Sequence, residues 1–218
     1  MFITFEGIEG CGKTTQITLM GGFLREKGFS CRLTREPGGT AIGEEIRKIL
    51  LSSENSRMSP ITELFLYLAS RAQHVEEVIK PALKDKKIVL CDRFSDATIA
   101  YQEHARGFDL KLVRELDKLA TSGLKPDITV LLDCPVEIGL ERAMRRIGSQ
   151  TKQMKEDRFE REDKAFHEKV REGYLKIAKN DRERIVLIDG TKDRDTVHEE
   201  IWKAVFPKII AEKKTNVV

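Results

Sequence analysis

Short apolar runs alternate along the chain with longer segments in which apolar residues recur at helical spacing. The short runs are rich in β-branched and aromatic residues, and they predict strands at 2–6, 30–34, 87–92, 127–133 and 184–189. The longer segments predict helices near 13–27, 40–51, 60–80, 109–122, 135–146, 160–180 and 193–206. Start signals support two of these helices, because Ser59 precedes Pro60 and Asp133 lies two residues before Pro135.

Strands that are apolar throughout and separated by helices are typical of a parallel sheet covered on both faces. We therefore predict a three-layer α/β fold, with ligands at the carboxyl ends of the strands. Because the chain shows no internal repeat and no linker, a single domain over 1–218 is expected. The polar and basic segment 145–158 is weakly periodic and predicts a mobile loop, and 211–218 is expected to form a flexible tail.

Composition and charge exclude several classes of function. Of the 218 residues, 40% are hydrophobic and 34% charged, which is typical of a globular protein. The net charge of +3 is too small to indicate a nucleic-acid groove, and no apolar run approaches the roughly 20 residues that span a bilayer. The sequence shows neither a secretion signal nor a pair of cysteines at CxxC spacing, so we expect a cytoplasmic protein with reduced thiols.

The strongest motif in the chain is GIEGCGKT at 7–14, which fits the GxxxxGK[ST] pattern between a predicted strand and a predicted helix. Glycines let backbone N–H groups surround phosphate oxygens, and the helix N-terminus adds partial positive charge. Lys13 is expected to reach the β- and γ-phosphates of ATP, and the Thr14 hydroxyl to join the shell of a Mg²⁺ ion. The residues predicted to contact ATP here are Gly7, Ile8, Glu9, Gly10, Cys11, Gly12, Lys13, Thr14 and Thr15.

A phosphate-binding loop alone does not separate a GTPase, a motor ATPase and a small-molecule kinase. The chain lacks the NKxD motif with which GTPases read their base, and it is short for a motor. A kinase would need a second pocket for the phosphate acceptor.

Asp92 and Arg93 end the predicted strand 87–92, where an α/β sheet presents ligands. Asp92 could hold Mg²⁺ through water and Arg93 could bind a phosphate, although a surface ion pair would give the same pattern. Asp133, after 127–133, competes for the metal role, and we favour Asp92 because Asp133 begins a helix. Arg35, before a Pro-Gly-Gly turn, can point into the same cleft.

Together these segments resemble the thymidylate kinase family. The motifs are FEGIEGCGKTTQ, REPGGT, ELFLYLASRAQH, CDRFSDATIAYQ and DRFE, and the resemblance runs from about residue 1 to about residue 206. It implies a P-loop nucleoside monophosphate kinase fold with a five-stranded parallel sheet. It also implies transfer of phosphate from ATP to dTMP with Mg²⁺, in the synthesis of dTTP for DNA replication, by a homodimer formed through helix faces within 40–80 and 94–122.

The resemblance assigns roles to the residues of the acceptor pocket. Arg93 would bind the 5′-phosphate with Arg35 and Arg47 nearby, and Glu9 would meet the 3′-hydroxyl. Tyr101 would lie against C2′ of the sugar, and Tyr67 would stack on the base in place of the usual phenylalanine. The residues expected to read the base are Arg71, Thr98 and Gln102.

The P-loop lacks the arginine found in one branch of the family, so the resemblance is to the bacterial branch, whose basic residues lie in a mobile lid near 142–160. We expect Arg146 or Arg158 to contact the transferred phosphate and Arg142 to contact ATP. Lys13 and Arg93 complete the expected catalytic set. The acceptor phosphate is already mostly dianionic at neutral pH, so no general base is required.

Two alternatives remain open at this point. The acceptor could be another monophosphate such as dUMP or dCMP, or a deoxynucleoside. Alternatively, the chain could be a P-loop binding module without transferase activity.

Overall fold

The computed structural model describes residues 1–148 and 158–215, and its centre is one parallel sheet. The strands are β1 (Phe2–Glu6), β2 (Cys31–Arg35), β3 (Ile88–Asp92), β4 (Ile128–Asp133) and β5 (Ile185–Asp189). Their spatial order is β2-β3-β1-β4-β5, and every neighbouring pair is parallel. The prediction of a five-stranded parallel α/β sheet is confirmed.

Helices follow the strands in the order that the sequence predicts. They are α1 (Lys13–Glu26), α2 (Ala41–Leu51), α3 (Pro60–His74), α4 (Lys80–Lys84), α5 (Ser95–Thr98), α6 (Leu110–Thr121), α7 (Val136–Gly148), α8 (Lys164–Asn180) and α9 (Arg194–Thr215). Thr40, Ser59, Asp109 and Asp163 cap α2, α3, α6 and α8 by accepting a hydrogen bond from a first-turn N–H. These caps explain why the predicted helix starts lie within a few residues of the observed ones.

The prediction was wrong where the helical period changes. The expected helix at 60–80 is α3 followed by a π-helical turn, Val75–Ile79, and then α4. The sequence assigns no element to 93–108, yet α5 runs into a second π-helical segment, Ile99–Ala105. Hydrogen bonds from i to i+5 shift side chains away from the 3.6-residue period, so a search for that period misses the segment.

The C-terminal prediction also needs correction. Helix α9 was expected to end at 206, but it continues past Pro207 to Thr215. Residues 211–215 of the expected tail are therefore helical, and 216–218 lie outside the described residues. Residues 149–157, which make up most of the expected mobile loop, also lie outside them.

The core lies on both faces of the sheet. All five residues of β1 are buried, and Met20 and Leu24 of α1 pack in the same cluster as Ile3 and Phe5. Truncating one such side chain to alanine costs roughly 2–5 kcal/mol. In the described residues, no helix is long and apolar enough to cross a membrane.

Each strand ends on a charged residue, and the parallel pairing brings these ends to one edge of the sheet. The five residues are Glu6, Arg35, Asp92, Asp133 and Asp189. The register pairs Arg35 with Asp92 and Asp133 with Asp189. This edge is where the predicted site residues converge.

Candidate active site

A cleft of about 1350 Å³ opens at this edge of the sheet. Pockets for one small ligand usually enclose roughly 300–1,000 Å³, so the cleft has room for two nucleotides. It is lined by eighteen of the residues predicted from the sequence: Glu9, Gly10, Cys11, Gly12, Lys13, Thr14, Thr15, Arg35, Arg47, Tyr67, Arg71, Asp92, Arg93, Thr98, Tyr101, Gln102, Arg142 and Arg146. Of the other predicted residues, Gly7, Ile8 and Arg158 do not line it.

The P-loop is held in shape by close backbone approaches. A Cβ on Gly10 would lie 1.9 Å from the carbonyl oxygen of Gly139, so only glycine fits there. Lys13 is largely buried, and its Nζ donates to the carbonyl oxygens of Gly7, at 3.0 Å, and Ile8, at 2.8 Å. Gly7 and Ile8 therefore position the lysine instead of facing the cleft.

The first turn of α1 is suited to hold phosphate. Its N-cap, Gly12, has a φ of 97° and no side-chain cap, so the backbone N–H groups of the turn face the cleft without a competing side-chain oxygen. Together with the dipole of α1 and the Lys13 ammonium, this loop fits the triphosphate of ATP.

Two side chains that could hold a magnesium ion lie at the start of α1 and the end of β3. The hydroxyl of Thr14 donates to Oδ2 of Asp92 at 2.7 Å. Asp133, the competing candidate, instead forms a two-pronged ion pair with Arg171 at 2.7 and 2.8 Å. A hydroxyl and a carboxylate are hard oxygen ligands, and two of them suit an ion that takes its other ligands from phosphates and water. The described residues hold no cluster of three acidic, histidine or cysteine side chains that would form a complete metal cage.

Arg93 is held in an unusual backbone conformation. Its φ is 70°, in the left-handed region that costs a non-glycine residue on the order of 1 kcal/mol. The next N–H, that of Phe94, donates to Oε1 of the fully buried Glu6 at 2.7 Å. The Tyr174 hydroxyl donates to the other oxygen of Glu6, at 2.8 Å, and accepts from Nη1 of Arg93. Glu6 thus supports both the backbone and the side chain of the arginine.

The environment of Glu6 favours its neutral form. Burial, and then the charge of Asp96, raise the pKa of Glu6 to about 8, although Arg93 opposes the shift. A carboxyl with this pKa is largely protonated at neutral pH.

Glu9, inside the P-loop, carries the opposite perturbation. Burial would raise its pKa, but Arg93, His167 and Lys13 outweigh burial and hold the pKa well below the usual range. Nη2 of Arg93 lies 2.9 Å from Oε1 of Glu9, and the Tyr101 hydroxyl donates to the same oxygen. On the other side, Nδ1 of His167 lies 3.3 Å from Oε2. Glu9 is therefore an ionised acceptor at the junction of the P-loop and the second pocket.

The second pocket contains a buried arginine with several partners. Nε of Arg71 donates to Glu36 at 2.7 Å, and its Nη1 donates to Thr98 and to Asp117, both at 2.6 Å. Nη2 donates to the carbonyl oxygen of Phe94 at 2.9 Å. Burial disfavours the charge of Arg71, but Glu36 and Asp117 outweigh it and raise the pKa of the guanidinium. The charge is fixed by the protein before any substrate enters.

The remaining pocket residues line the rim and the walls. Tyr67 stands with its ring centre 6.2 Å from that of Phe159. Burial raises the pKa of the Tyr67 hydroxyl, so that it stays a neutral group. Arg35 is half-exposed and paired with Glu44 at 3.0 Å, and Arg47 donates to the carbonyl oxygen of Pro37. The pocket therefore has an aromatic wall and two arginines at its rim.

The arginines of the expected lid occupy different places. Arg142 donates to the carbonyl oxygen of Gly190, in the loop after β5, and lines the cleft. Arg146 also lines the cleft, with Glu160 at 3.3 Å and a side chain that is 55% exposed. Arg158 is buried, pairs with Glu63 at 2.7 Å and donates to the carbonyl oxygen of Leu50. In this conformation Arg158 lies away from the cleft, so its predicted contact with the transferred phosphate would require it to leave Glu63.

Several residues of the site were not predicted from the sequence. Predicted site residues are touched by Glu36, Glu63, Asp117, His167 and Tyr174, and Glu6 holds the backbone N–H of Phe94, next to Arg93. Glu6, Glu36 and Glu63 lie within the motifs that carry the resemblance, but no role was assigned to them, and the partners of all six residues are more than 30 residues away. Their roles depend on burial and on contacts with residues distant in the chain, and neither is visible in the sequence.

Comparison with known proteins agrees with this geometry. The family model described as thymidylate kinase matches residues 5–201. A curated thymidylate kinase of Geotalea daltonii is 58% identical over 208 residues, covering 95% of this chain and 97% of the relative. One of Desulfosudis oleivorans is 57% identical over 190 residues, covering 87% and 89%. The crystal structure of thymidylate kinase from Ehrlichia chaffeensis matches with a TM-score of 0.76 and 34% identity, covering 94% of this chain and 98% of that one. The resemblance seen in the sequence is confirmed: the chain belongs to the thymidylate kinase family and has its P-loop nucleoside monophosphate kinase fold.

Proposed function

We propose that the chain transfers the γ-phosphoryl group of ATP to dTMP, giving ADP and dTDP, a step in the supply of dTTP for DNA replication. One observation carries this proposal. Nζ of Lys13 and Nη1 of Arg93 both donate to the carbonyl oxygen of Gly7, each at 3.0 Å. A cation suited to the donor phosphates therefore lies beside a cation suited to the acceptor phosphate, and direct phosphoryl transfer needs the two phosphates to be this close.

The P-loop would hold ATP through its backbone N–H groups and Lys13, with Arg142 at the loop after β5. Thr14 and Asp92 would hold Mg²⁺, which when bound neutralises phosphate charge and orients the β- and γ-phosphates. Arg146, at the wall of the cleft, is placed to add positive charge over the transferred group. The positive charge lowers the barrier, because two polyanions must approach each other in line.

The acceptor pocket would hold dTMP with its phosphate on Arg93 and its base against Arg71, Thr98 and Gln102. Glu9 is ionised and accepts hydrogen bonds, so it suits the 3′-hydroxyl of the sugar. Tyr101 packs under the Arg93 guanidinium, 5.0 Å from its ring centre, and its bulk beside the sugar disfavours a 2′-hydroxyl. The pocket thus matches a deoxynucleoside monophosphate.

The assembly would be a homodimer. Apolar side chains are exposed on three helices that pack side by side: Ile42, Ile49, Ile61, Phe65, Leu112 and Leu119 of α2, α3 and α6. The family forms dimers through helix faces in these regions, so we assign a second copy of the chain to this face. The low net charge argues against a nucleic-acid partner, and we place the enzyme in the cytoplasm.

The function is tested by ADP release with ATP-Mg²⁺ and, separately, dTMP, dUMP, dCMP, dGMP and thymidine. We expect kcat/KM to be highest for dTMP. A higher kcat/KM for another monophosphate would assign that monophosphate as the acceptor in place of dTMP, and the P-loop assignment would stay unchanged. ADP release that does not depend on any acceptor would point to a nucleotide-binding module instead.

A further inference from the structure

Glu63 of α3 is a buried carboxylate that none of the roles above uses. It is 1% exposed and lies beside three donors. Nη2 of Arg158 is 2.7 Å from its Oε2, Nη2 of Arg106 is 3.2 Å from the same oxygen, and Nε2 of Gln102 donates to Oε1 at 3.0 Å. A carboxylate that faces two guanidinium groups and an amide N–H offers them only hydrogen-bond acceptors.

This carboxylate fixes the orientation of the Gln102 side chain. A carboxamide has a donor end and an acceptor end, and only the donor end can face Glu63. The acceptor end, Oε1 of Gln102, must then point elsewhere, and it receives no hydrogen bond from the part of the chain that the structure describes. Because Gln102 lines the cleft and its side chain is almost fully buried, the pocket contains an oxygen acceptor that is open to the cleft and whose direction the protein has set.

Arg71 supplies the complementary donor on the same lining. Its four contacts with Glu36, Thr98, Asp117 and Phe94 use four of the five N–H groups of the guanidinium. One N–H on Nη2 therefore remains for a ligand. The pocket thus offers one donor and one acceptor, each on a side chain that is 1% exposed.

The edge of a thymine ring carries an acceptor, O4, next to a donor, N3–H. Uracil presents the same edge, whereas cytosine presents the reverse, an amino donor next to an unprotonated N3. An acceptor of fixed direction pairs with N3–H of thymine but opposes the lone pair of cytosine N3. Leaving such buried groups unpaired costs a wrong substrate about 1–3 kcal/mol for each neutral group.

We propose that Glu63 is a positioning residue for base specificity: by locking the Gln102 carboxamide with its oxygen towards the pocket, it makes the site accept thymine and uracil and reject cytosine. The proposal rests on the proposed function, since it places the base against Gln102 and Arg71. Arg106 and Arg158 pair with Glu63 on the side away from the base, and only the carboxylate itself sets the Gln102 side chain.

The test is the Glu63→Gln variant, in which an amide that can both donate and accept faces Gln102, which is then free to turn. Folding is checked by circular dichroism and thermal unfolding. We measure kcat/KM for dTMP, dUMP and dCMP, and the Kd of dTMP and dCMP by calorimetry. The expected result is a fall of the dTMP-to-dCMP ratio by about tenfold or more, which corresponds to one such buried group. The dTMP-to-dUMP ratio should stay within about twofold, because these two bases share the edge that Gln102 reads.

Arg106→Gln is the matched control, because it removes one partner of Glu63 but leaves the carboxylate facing Gln102. Its dTMP-to-dCMP ratio should equal that of the wild type. If Glu63→Gln unfolds, the same measurements are made on the double variant Glu63→Gln/Arg106→Gln, which removes one charge of each sign.

Three results would overturn the proposal. One is an unchanged dTMP-to-dCMP ratio of kcat/KM in a folded Glu63→Gln enzyme. An equal loss of activity on all three substrates leaves this ratio unchanged and counts as the same result. A second is an equal change of that ratio in Arg106→Gln. A third is a wild type that does not prefer dTMP over dCMP, whereas a wild type without any acceptor-dependent activity would refute the proposed function itself.

Discussion

Nη2 of Arg93 lies 2.9 Å from Oε1 of Glu9, so an acid of the P-loop holds the arginine at the end of β3. This pair joins the two halves of the site across 84 residues of sequence. An incoming phosphate can take the place of the carboxylate on Arg93, while Tyr101 and His167 remain to stabilise Glu9. The acceptor pocket is therefore organised electrostatically before dTMP enters.

Replacing Arg93 should affect the acceptor far more than the donor. For Arg93→Ala, we expect kcat/KM for dTMP to fall by about 100-fold or more, since a charge-assisted contact with phosphate is lost. The Kd of an ATP analogue, measured by calorimetry, should change by less than about threefold. Arg182→Ala, at an exposed arginine outside the cleft, is the control. An equal loss of affinity for both nucleotides would contradict the assignment of Arg93 to the acceptor.

The assignment of the metal can be tested against its rival. Because Thr14 reaches Asp92 whereas Asp133 is paired with Arg171, Asp92→Asn should raise the Mg²⁺ concentration needed for half-maximal activity by about tenfold or more. Asp133→Asn should leave that concentration within about twofold of the wild type. A titration of activity with Mg²⁺ measures this concentration for both variants. A larger increase in Asp133→Asn than in Asp92→Asn would assign the metal to Asp133, at the end of β4.

Replacing Arg146 and replacing Arg158 should have different effects, the first on kcat and the second on stability. Arg146→Ala should lower kcat by about 10- to 100-fold with little change in the melting temperature, because the side chain is exposed at the cleft. Arg158→Ala removes one of the two guanidinium partners of the buried Glu63 while Arg106 remains, which should destabilise the fold by about 1–3 kcal/mol. Single-turnover kinetics and urea unfolding separate the two effects. Full stability of Arg158→Ala with a large loss of kcat would show that Arg158 moves to the transferred phosphate.

Glu6 should make stability depend on pH. Its pKa is 4.5 in the unfolded chain and about 8 in the fold, so the native state binds more protons between these values. Its contribution to stability is therefore complete below pH 4.5 and is lost as the pH rises towards 8, by about 1.4 kcal/mol for each unit of pKa shift. In urea unfolding at pH 5, 6, 7 and 8, the free energy of unfolding should decline less with rising pH in Glu6→Gln than in the wild type. The exposed Glu115→Gln is the control, and equal slopes in the wild type and Glu6→Gln would refute the prediction.

The apolar face of α2, α3 and α6 should be a dimer interface. Phe65, 53% exposed, lies on the central helix of the three. Phe65→Glu should convert a dimer to a monomer in light scattering, because a charge would be buried between two copies. Leu187→Glu replaces an equally exposed apolar residue of β5 and should leave the dimer intact. A monomeric wild type would refute the assembly.

The sequence by itself determined the fold class and the P-loop. Apolar runs separated by helices specify a parallel sheet, because burial on both faces leaves the central strands, β1, β3 and β4, almost wholly apolar. The P-loop is contiguous, so its glycines, Lys13 and Thr14 are placed by local backbone geometry alone. The π-helical segment at 99–105 was missed because its spacing departs from the period on which helix prediction rests.

Only the tertiary structure shows that residues which look alike in sequence have different partners. Asp92 and Asp133 both end strands, and the difference lies in their partners, Thr14 and Arg171, which are 78 and 38 residues away. Likewise, Arg146 faces the cleft while Arg158 turns to Glu63. Such pairings follow from how helices pack over the sheet, and the free energy of each one depends on burial and on neighbouring charges that no local pattern encodes.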